Sequence, residues 1–188
     1  ALFDRLKVAL GEGFDHVHGL VEATKQAFIL RNQGLGDPDF MDRAASEWLR
    51  SEDLDALHAR IDRKRALLWP HEAKDGDTIW MGAADSEGRV VSFIQSVFWE
   101  FGSGLTCPET GVVFQNRGAG FSLKAGPNQL GPGRRPFHTL NPALAHLTDG
   151  RIMAYGTMGG EGQPQTQAAI FSRYAMFGQG LQQAVTAP

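Results

Sequence analysis

The sequence predicts an α+β fold, helical over its first part and strand-dominated over the rest. Composition and periodicity both point there. Residues 1–77 hold 15 acidic and 11 basic side chains but only six of the 23 glycines. Residues 78–188 hold six acidic and seven basic side chains, the other 17 glycines and seven of the nine prolines. Charged, glycine-poor sequence suits helices, whereas glycine-rich apolar sequence with turn signals suits strands and loops. Apolar residues step by three and four before position 30 and alternate after Gly76, the periods of a helix face and a strand face. Helices, then strands, then a closing helix make a layered α+β domain.

Phe14, Val17, Leu20, Val21, Thr24 and Phe28 mark one face of a first long helix. Gly34-Leu-Gly-Asp-Pro-Asp39 stops it, with Asp37 and Asp39 read as turn formers. A second helical tract is expected over 41–68, with Ser51, Asp53 and Asp55 starting a new helix inside it through an N-cap and a favourable dipole. Thr78–Ala84 and Arg89–Val97 read as strands joined by Asp85-Ser86-Glu87-Gly88. Gly111–Asn116 reads as a further strand. Ala143–Leu147 and Ile152–Gly156 flank a second hairpin turn, Thr148-Asp149-Gly150, and Gln163–Phe177 reads as a helix. The stretch 117–142 between them is loop-rich.

The 188 residues suit one domain, or a large part of one. A formal charge of -3 argues against nucleic acid as the main partner. The single cysteine, Cys107, allows neither an internal disulfide nor a multi-cysteine metal site. No apolar run approaches the roughly 20 residues of a membrane helix. The start at Ala1, without methionine or a secretion signal, reads as a piece of a longer chain. Compartment stays open, with the cytoplasm favoured over the periplasm.

Four features could carry chemistry. Thr78 opens a strand after a Lys74-Asp75-Gly76-Asp77 linker. It is an ordinary strand residue unless the Asp77–Thr78 bond is cut, which would free an amine to act as base for the threonine hydroxyl. Gly159 and Gly160, between a strand and a helix, could aim backbone N–H groups at an oxyanion, or form a plain turn. Arg134 and Arg135 serve either as a carboxylate clamp or as a solvated pair. Arg117, after Gln115-Asn116, is either a carboxylate partner or a surface charge. The histidines form no site: His16 and His18 fall on different helix faces, and His58, His71 and His146 are isolated.

In order, His16-Val-His-Gly-Leu-Val-Glu-Ala, Gly36-Asp-Pro-Asp-Phe40, Asp77-Thr78, Phe101-Gly-Ser-Gly104, Glu109-Thr-Gly111, Gly133-Arg-Arg-Pro136 and Gly159-Gly160 resemble the gamma-glutamyltransferase family of N-terminal-nucleophile hydrolases. The resemblance implies part of a four-layer αββα sandwich. Residues 1–77 would be the end of the large-subunit region and 78–188 the start of the small one. It implies self-cleavage between Asp77 and Thr78, with Thr78 as nucleophile and its own amine as base. It puts Ser96 where a second threonine hydroxyl usually supports the nucleophile, and Gly159 and Gly160 at the oxyanion hole. No metal or cofactor is implied. The partners would be a small amide substrate and the remaining portions of the same chain, with a homodimer left open.

The departures redirect the substrate. Where glutamyl-specific members carry an asparagine, a glutamine and an aspartate, this sequence has Phe98, Arg117 and Gly120; His138 and Thr139 replace a serine pair. Losing the aspartate removes the partner of an α-ammonium group, and Arg117 favours a bare carboxylate. Val91-Ser-Phe-Ile-Gln-Ser96, Gln115-Asn-Arg-Gly118, Pro136-Phe-His-Thr-Leu-Asn-Pro142 and Gly156-Thr-Met-Gly-Gly-Glu-Gly-Gln-Pro-Gln-Thr-Gln167 look more like the oxamate amidohydrolase branch. A small carboxylate-bearing amide such as oxamate is therefore expected as substrate, against the alternatives of a true glutamyl transferase or a non-catalytic domain. The piece by itself is expected to be inactive.

Overall fold

A computed structural model describes residues 1–69 and 77–187. The expected linker, Lys74-Asp75-Gly76, and His71 lie outside the described residues. The chain divides into two compact units. One comprises Ala1–His71, Phe121–Phe137 and Ala168–Pro188; the other comprises Glu72–Gly120 and His138–Gln167.

In the first unit α1 (Leu2–Arg5), α2 (Gly13–Gly34) and α3 (Ser51–His58) meet around Leu2, Ala23 and Leu54, with Phe3, Leu57 and Ile61 packed against them. The long helix forms as expected, but its buried face is not the predicted apolar one. Phe14, Val17 and Val21 are exposed, while His16, Glu22 and Gln26 are buried. Buried polar groups survive when they are hydrogen-bonded. His16 Nε2 lies 2.9 Å from Ser172 Oγ, and Glu22 accepts from Lys25 Nζ at 2.7 Å and from the Leu67 amide at 3.2 Å.

The predicted helical tract over 41–68 is broken. Short 3-10 turns cover Pro38–Phe40 and Ala45–Leu49, and α3 ends at His58. Asp62 Oδ1 accepts from the amides of Lys64 and Arg65 at 2.8 and 3.2 Å, a local alternative to helix that short acidic side chains offer. Ser51 opens α3 as its first helical residue rather than as its cap; its hydroxyl donates to Asp55 at 3.3 Å.

The turn after α2 is fixed by charge. Asp37 is almost water-free and accepts from Arg135 through the backbone amide at 2.8 Å, Nε at 3.2 Å and a terminal nitrogen at 2.6 Å. It also accepts from the Asp39 amide at 3.2 Å, so turn formation is one half of its role. These donors hold its carboxyl down at about 2, against an ordinary 3.8. Gly36 allows the approach, since a Cβ there would stand 2.2 Å from the backbone of Pro127.

In the second unit β1 (Asp77–Ala84) and β2 (Val90–Phe98) form an antiparallel hairpin, as do β3 (Ala143–His146) and β4 (Ile152–Tyr155). Both match the alternating pattern of the sequence. The expected strand at Gly111–Asn116 does not form; Val113 makes only an isolated bridge to Thr106. Pro108 offers no amide to extend that pairing, and Gly102 and Gly104 turn the opposing segment through positive φ. Side chains of Thr78, Trp80, Ser92 and Ile94 lie on the less exposed face of the first hairpin, and Trp80 Nε1 donates to Ser92 Oγ at 2.9 Å. The Trp80 indole also lies against Gly156, where a Cβ would meet it at 2.1 Å. Helix α4 (Gln163–Phe171) starts in this unit, whereas the π turn Ser172–Met176 and α5 (Leu181–Thr186) that follow it belong to the first.

Gly156→Ala should push the Trp80 indole out of place and lower stability by about 1–3 kcal/mol, measured as a shift in the urea unfolding midpoint; an unchanged midpoint would mean that the indole gives way without cost.

Candidate active site

Thr78, 8% exposed, is the second residue of β1. Asp77 pairs with Phe98 and Ile79 with Gln95, so β2 sets two residues, Ser96 and Val97, opposite Thr78. That is a β-bulge, a device that re-aims side chains at the end of a ladder. Ser96 and Val97 thus share the place opposite Thr78 across the hairpin. The Ser96 hydroxyl accepts from the Phe98 amide at 2.9 Å.

Past the bulge the backbone turns sharply, with Phe98 at φ 83°. Its ring stacks on Trp99 at 5.4 Å between centroids, and the Arg117 guanidinium lies over it at 5.0 Å. The segment bearing Arg117 is pinned to the end of β2: Asn116 donates its amide to Val97 O at 3.2 Å and accepts from the Trp99 amide at 3.1 Å. The Arg117 amide donates to the Gln115 side chain where a 3-10 turn over Arg117–Gly120 begins, and the Ala119 amide donates to Asn116 O at 3.0 Å within that turn.

Arg117 is not a solvated surface charge. It is 7% exposed, and both terminal nitrogens of its guanidinium are buried without a hydrogen-bond partner. Loss of hydration lowers its pKa. An unpaired buried cation is costly, and a planar guanidinium is best satisfied by a carboxylate.

His138 feels that charge. Its surroundings strip hydration and lower its pKa below 6.5, and the positive charge of Arg117 lowers it further, although the residue is exposed at the surface. Nδ1 accepts from the Leu140 amide at 3.2 Å, which leaves the proton of the neutral ring on Nε2. Three residues after His138, Asn141 accepts from Gln167 Nε2 through its backbone oxygen at 3.1 Å and its side chain at 2.9 Å. This ties the His138-Thr-Leu-Asn141 stretch, with Thr139 half-buried, to the middle of α4.

Gly159 and Gly160 both take left-handed backbone conformations, φ 100° and 51°, and the Gly162 amide returns to Gly159 O at 2.8 Å. The turn delivers the chain into α4 at Gln163. That residue is fully buried, and neither end of its amide has a partner. Sequence reasoning missed Gln163, Gln167 and Trp80. The only signal was Gln163-Pro-Gln-Thr-Gln167, a polar run opening a helix without an apolar period.

Other candidates resolve differently. Arg135 does clamp a carboxylate, but it is that of Asp37, with Asp39 at 2.8 Å from the same guanidinium. Arg134 lies over the Phe40 ring at 3.8 Å. Cys107 donates to Glu109 at 3.1 Å in a turn. Among the described residues no group of three or more His, Cys, Asp or Glu is placed to hold a metal ion, and no helix is long and apolar enough to cross a membrane.

The chain belongs to the gamma-glutamyltranspeptidase family, whose model matches residues 3–188. Among curated proteins it is 51% identical, over 188 residues, to the oxamate amidohydrolase proenzyme of Klebsiella pneumoniae, covering 98% of this chain and 35% of that protein. It is 42% identical over 178 residues to the glutathione hydrolase-like YwrD proenzyme of Bacillus subtilis, covering 93% and 33%. Among solved structures, the cephalosporin acylase from Bacillus halodurans matches with a TM-score of 0.84 at 33% identity, over 97% of this chain and 34% of that one. The chain thus spans about a third of the length of these relatives.

In an NMR titration His138 should titrate below 6.5, and Arg117→Gln should raise that value by removing the neighbouring positive charge. An unmoved pKa in the variant would separate the two residues electrostatically.

Proposed function

We propose that the whole protein cuts itself between Asp77 and Thr78 and then hydrolyses a small amide bearing a carboxylate, with oxamate as the model substrate. The observation that carries this reading is the buried Arg117 guanidinium without an acceptor. A substrate carboxylate would supply the missing anion, and the 51% identity to an oxamate amidohydrolase proenzyme agrees with that choice.

In this scheme the freed Thr78 amine takes the proton of its own hydroxyl as Oγ1 attacks the amide carbon. Backbone amides at Gly159 and Gly160 stabilise the oxyanion, and the Ser96 hydroxyl supports the nucleophile. The protonated amine gives its proton to the leaving nitrogen, which departs as ammonia. Water then attacks the acyl-threonine ester, regenerating the hydroxyl and releasing the diacid. Arg117, with Phe98 beneath it and His138 and Thr139 beside it in the sequence reading, holds the substrate carboxylate.

Residues 1–77 would then end the larger product and 78–188 begin the smaller, within a four-layer αββα sandwich. The exposed apolar face of the first hairpin, Ile79, Met81, Val91 and Phe93, supports further layers covering it.

Intact mass and N-terminal sequencing of the whole gene product should give two chains, the smaller beginning at Thr78, and one uncut chain from Thr78→Ala. Oxamate should be hydrolysed in preference to a chromogenic γ-glutamyl anilide. Arg117→Gln should lower kcat/KM for oxamate by about 10–100-fold, the range of a lost charge-assisted hydrogen bond. Preference for the anilide would turn the reading to a glutamyl enzyme.

A further inference from the structure

We propose that Asp37 is an interchain lock: once the bond before Thr78 is cut, its carboxylate holds the 121–137 segment of the downstream product onto the upstream one. The proposal rests on the cleavage reading above. Asp37 precedes the bond and Arg135 follows it, 98 residues further on. What is an internal ion pair in the uncut chain becomes a contact between two separate molecules.

The geometry singles out this pair. Asp37 is 2% exposed, whereas the Arg5–Asp55 and Arg43–Asp53 pairs are more open and lie wholly upstream of position 78. Three of its four accepted hydrogen bonds come from Arg135, and the Asp37 amide donates to Pro127 O at 3.2 Å. The contact is therefore read from both sides: upstream carboxylate to downstream guanidinium and amide, upstream amide to downstream carbonyl. Gly36 leaves no room between the two backbones. Around it Arg134 covers Phe40 at 3.8 Å and Arg31 lies 5.2 Å from the Phe137 ring, again one residue from each side of position 78. The seclusion lies on the carboxylate side: Arg135 is 63% exposed, and its guanidinium reaches one Asp37 oxygen through two nitrogens while its backbone amide takes the other. Truncating one partner of a hydrogen-bonded charge pair that is buried on one side acts mainly on the dissociation rate.

A covalent tether hides such a loss, because a linked partner rebinds at an effective concentration in the millimolar range. The lock is thus distinguishable from an ordinary fold residue. Its removal should matter far more in cut than in uncut protein.

The test uses the whole gene product carrying Thr78→Ala with a site-specific protease sequence placed within residues 70–76, so the cut is supplied whether or not the protein makes it. The mass of the unmodified protein judges the cleavage reading separately. Cut and uncut samples, with and without Asp37→Asn, are followed by size exclusion in increasing urea. Asp37→Asn should lower the urea concentration at which the two pieces of the cut protein part, and should raise the concentration needed for them to stay together by tenfold or more. The midpoint of the uncut protein should move much less. Equal shifts in cut and uncut protein, or no shift in either, would overturn the lock. Should Asp37→Asn not fold uncut, Arg135→Lys, which keeps the backbone donor and one charge, decides by the same comparison.

Discussion

Water reaches almost none of the Asp37 carboxylate, and that exclusion organises the first unit. A buried charge must find donors from the chain itself. Here they come from Arg135 and from the Asp39 amide, and the cost of gathering them is that two loops nearly a hundred residues apart are brought into backbone contact. The close approach admits only glycine at position 36. Helix α2 must therefore end where it does, and the proline-rich loop after Phe121 has one conformation available rather than many. A stretch of sequence without a helical or strand period is ordered by a single ionic demand.

The second unit holds the opposite situation. Arg117 is also shielded from water, yet its guanidinium ends find nothing to donate to. Gln163 repeats the pattern with a neutral amide. Unmet polar capacity in a protein interior is uncommon and points to function more often than does a satisfied pair. Two of the buried charges are thus used differently: Asp37 holds loops together, and Arg117 is held in reserve. The β-bulge opposite Thr78, the pinned Asn116 turn and the Gln167–Asn141 tie are rigid local devices around that reserve.

Much of this was legible in the residues. The two hairpins follow from alternation and turn residues, because in a strand the side-chain period survives whatever packs on either face. The length of α2 followed from its caps and periodicity, but its buried face did not. His16 and Glu22 look like solvated positions until their long-range partners, Ser172 and the Leu67 amide, are known. The helix expected as far as Leu68 failed for a similar reason, since Asp62 takes the local amides that a helix would use. Thr78, Ser96 and the glycine pair were singled out by ordered motifs. The burial of Arg117 was not, because Asn116-Arg117-Gly118 carries no apolar pattern; its seclusion is built by Phe98 and by the turn itself.

Phe98 carries one more consequence. Its φ of 83° lies where a bulky side chain costs about 1–3 kcal/mol, and where asparagine is several-fold more at ease. Asparagine is the residue that glutamyl-specific relatives are expected to carry at this position. The bend at position 98 suits a smaller residue, while the side chain that stands on it is a ring carrying a guanidinium. Main chain and side chain at this one residue thus answer to different demands, and an exchange of the side chain would leave the bend in place with a new surface upon it.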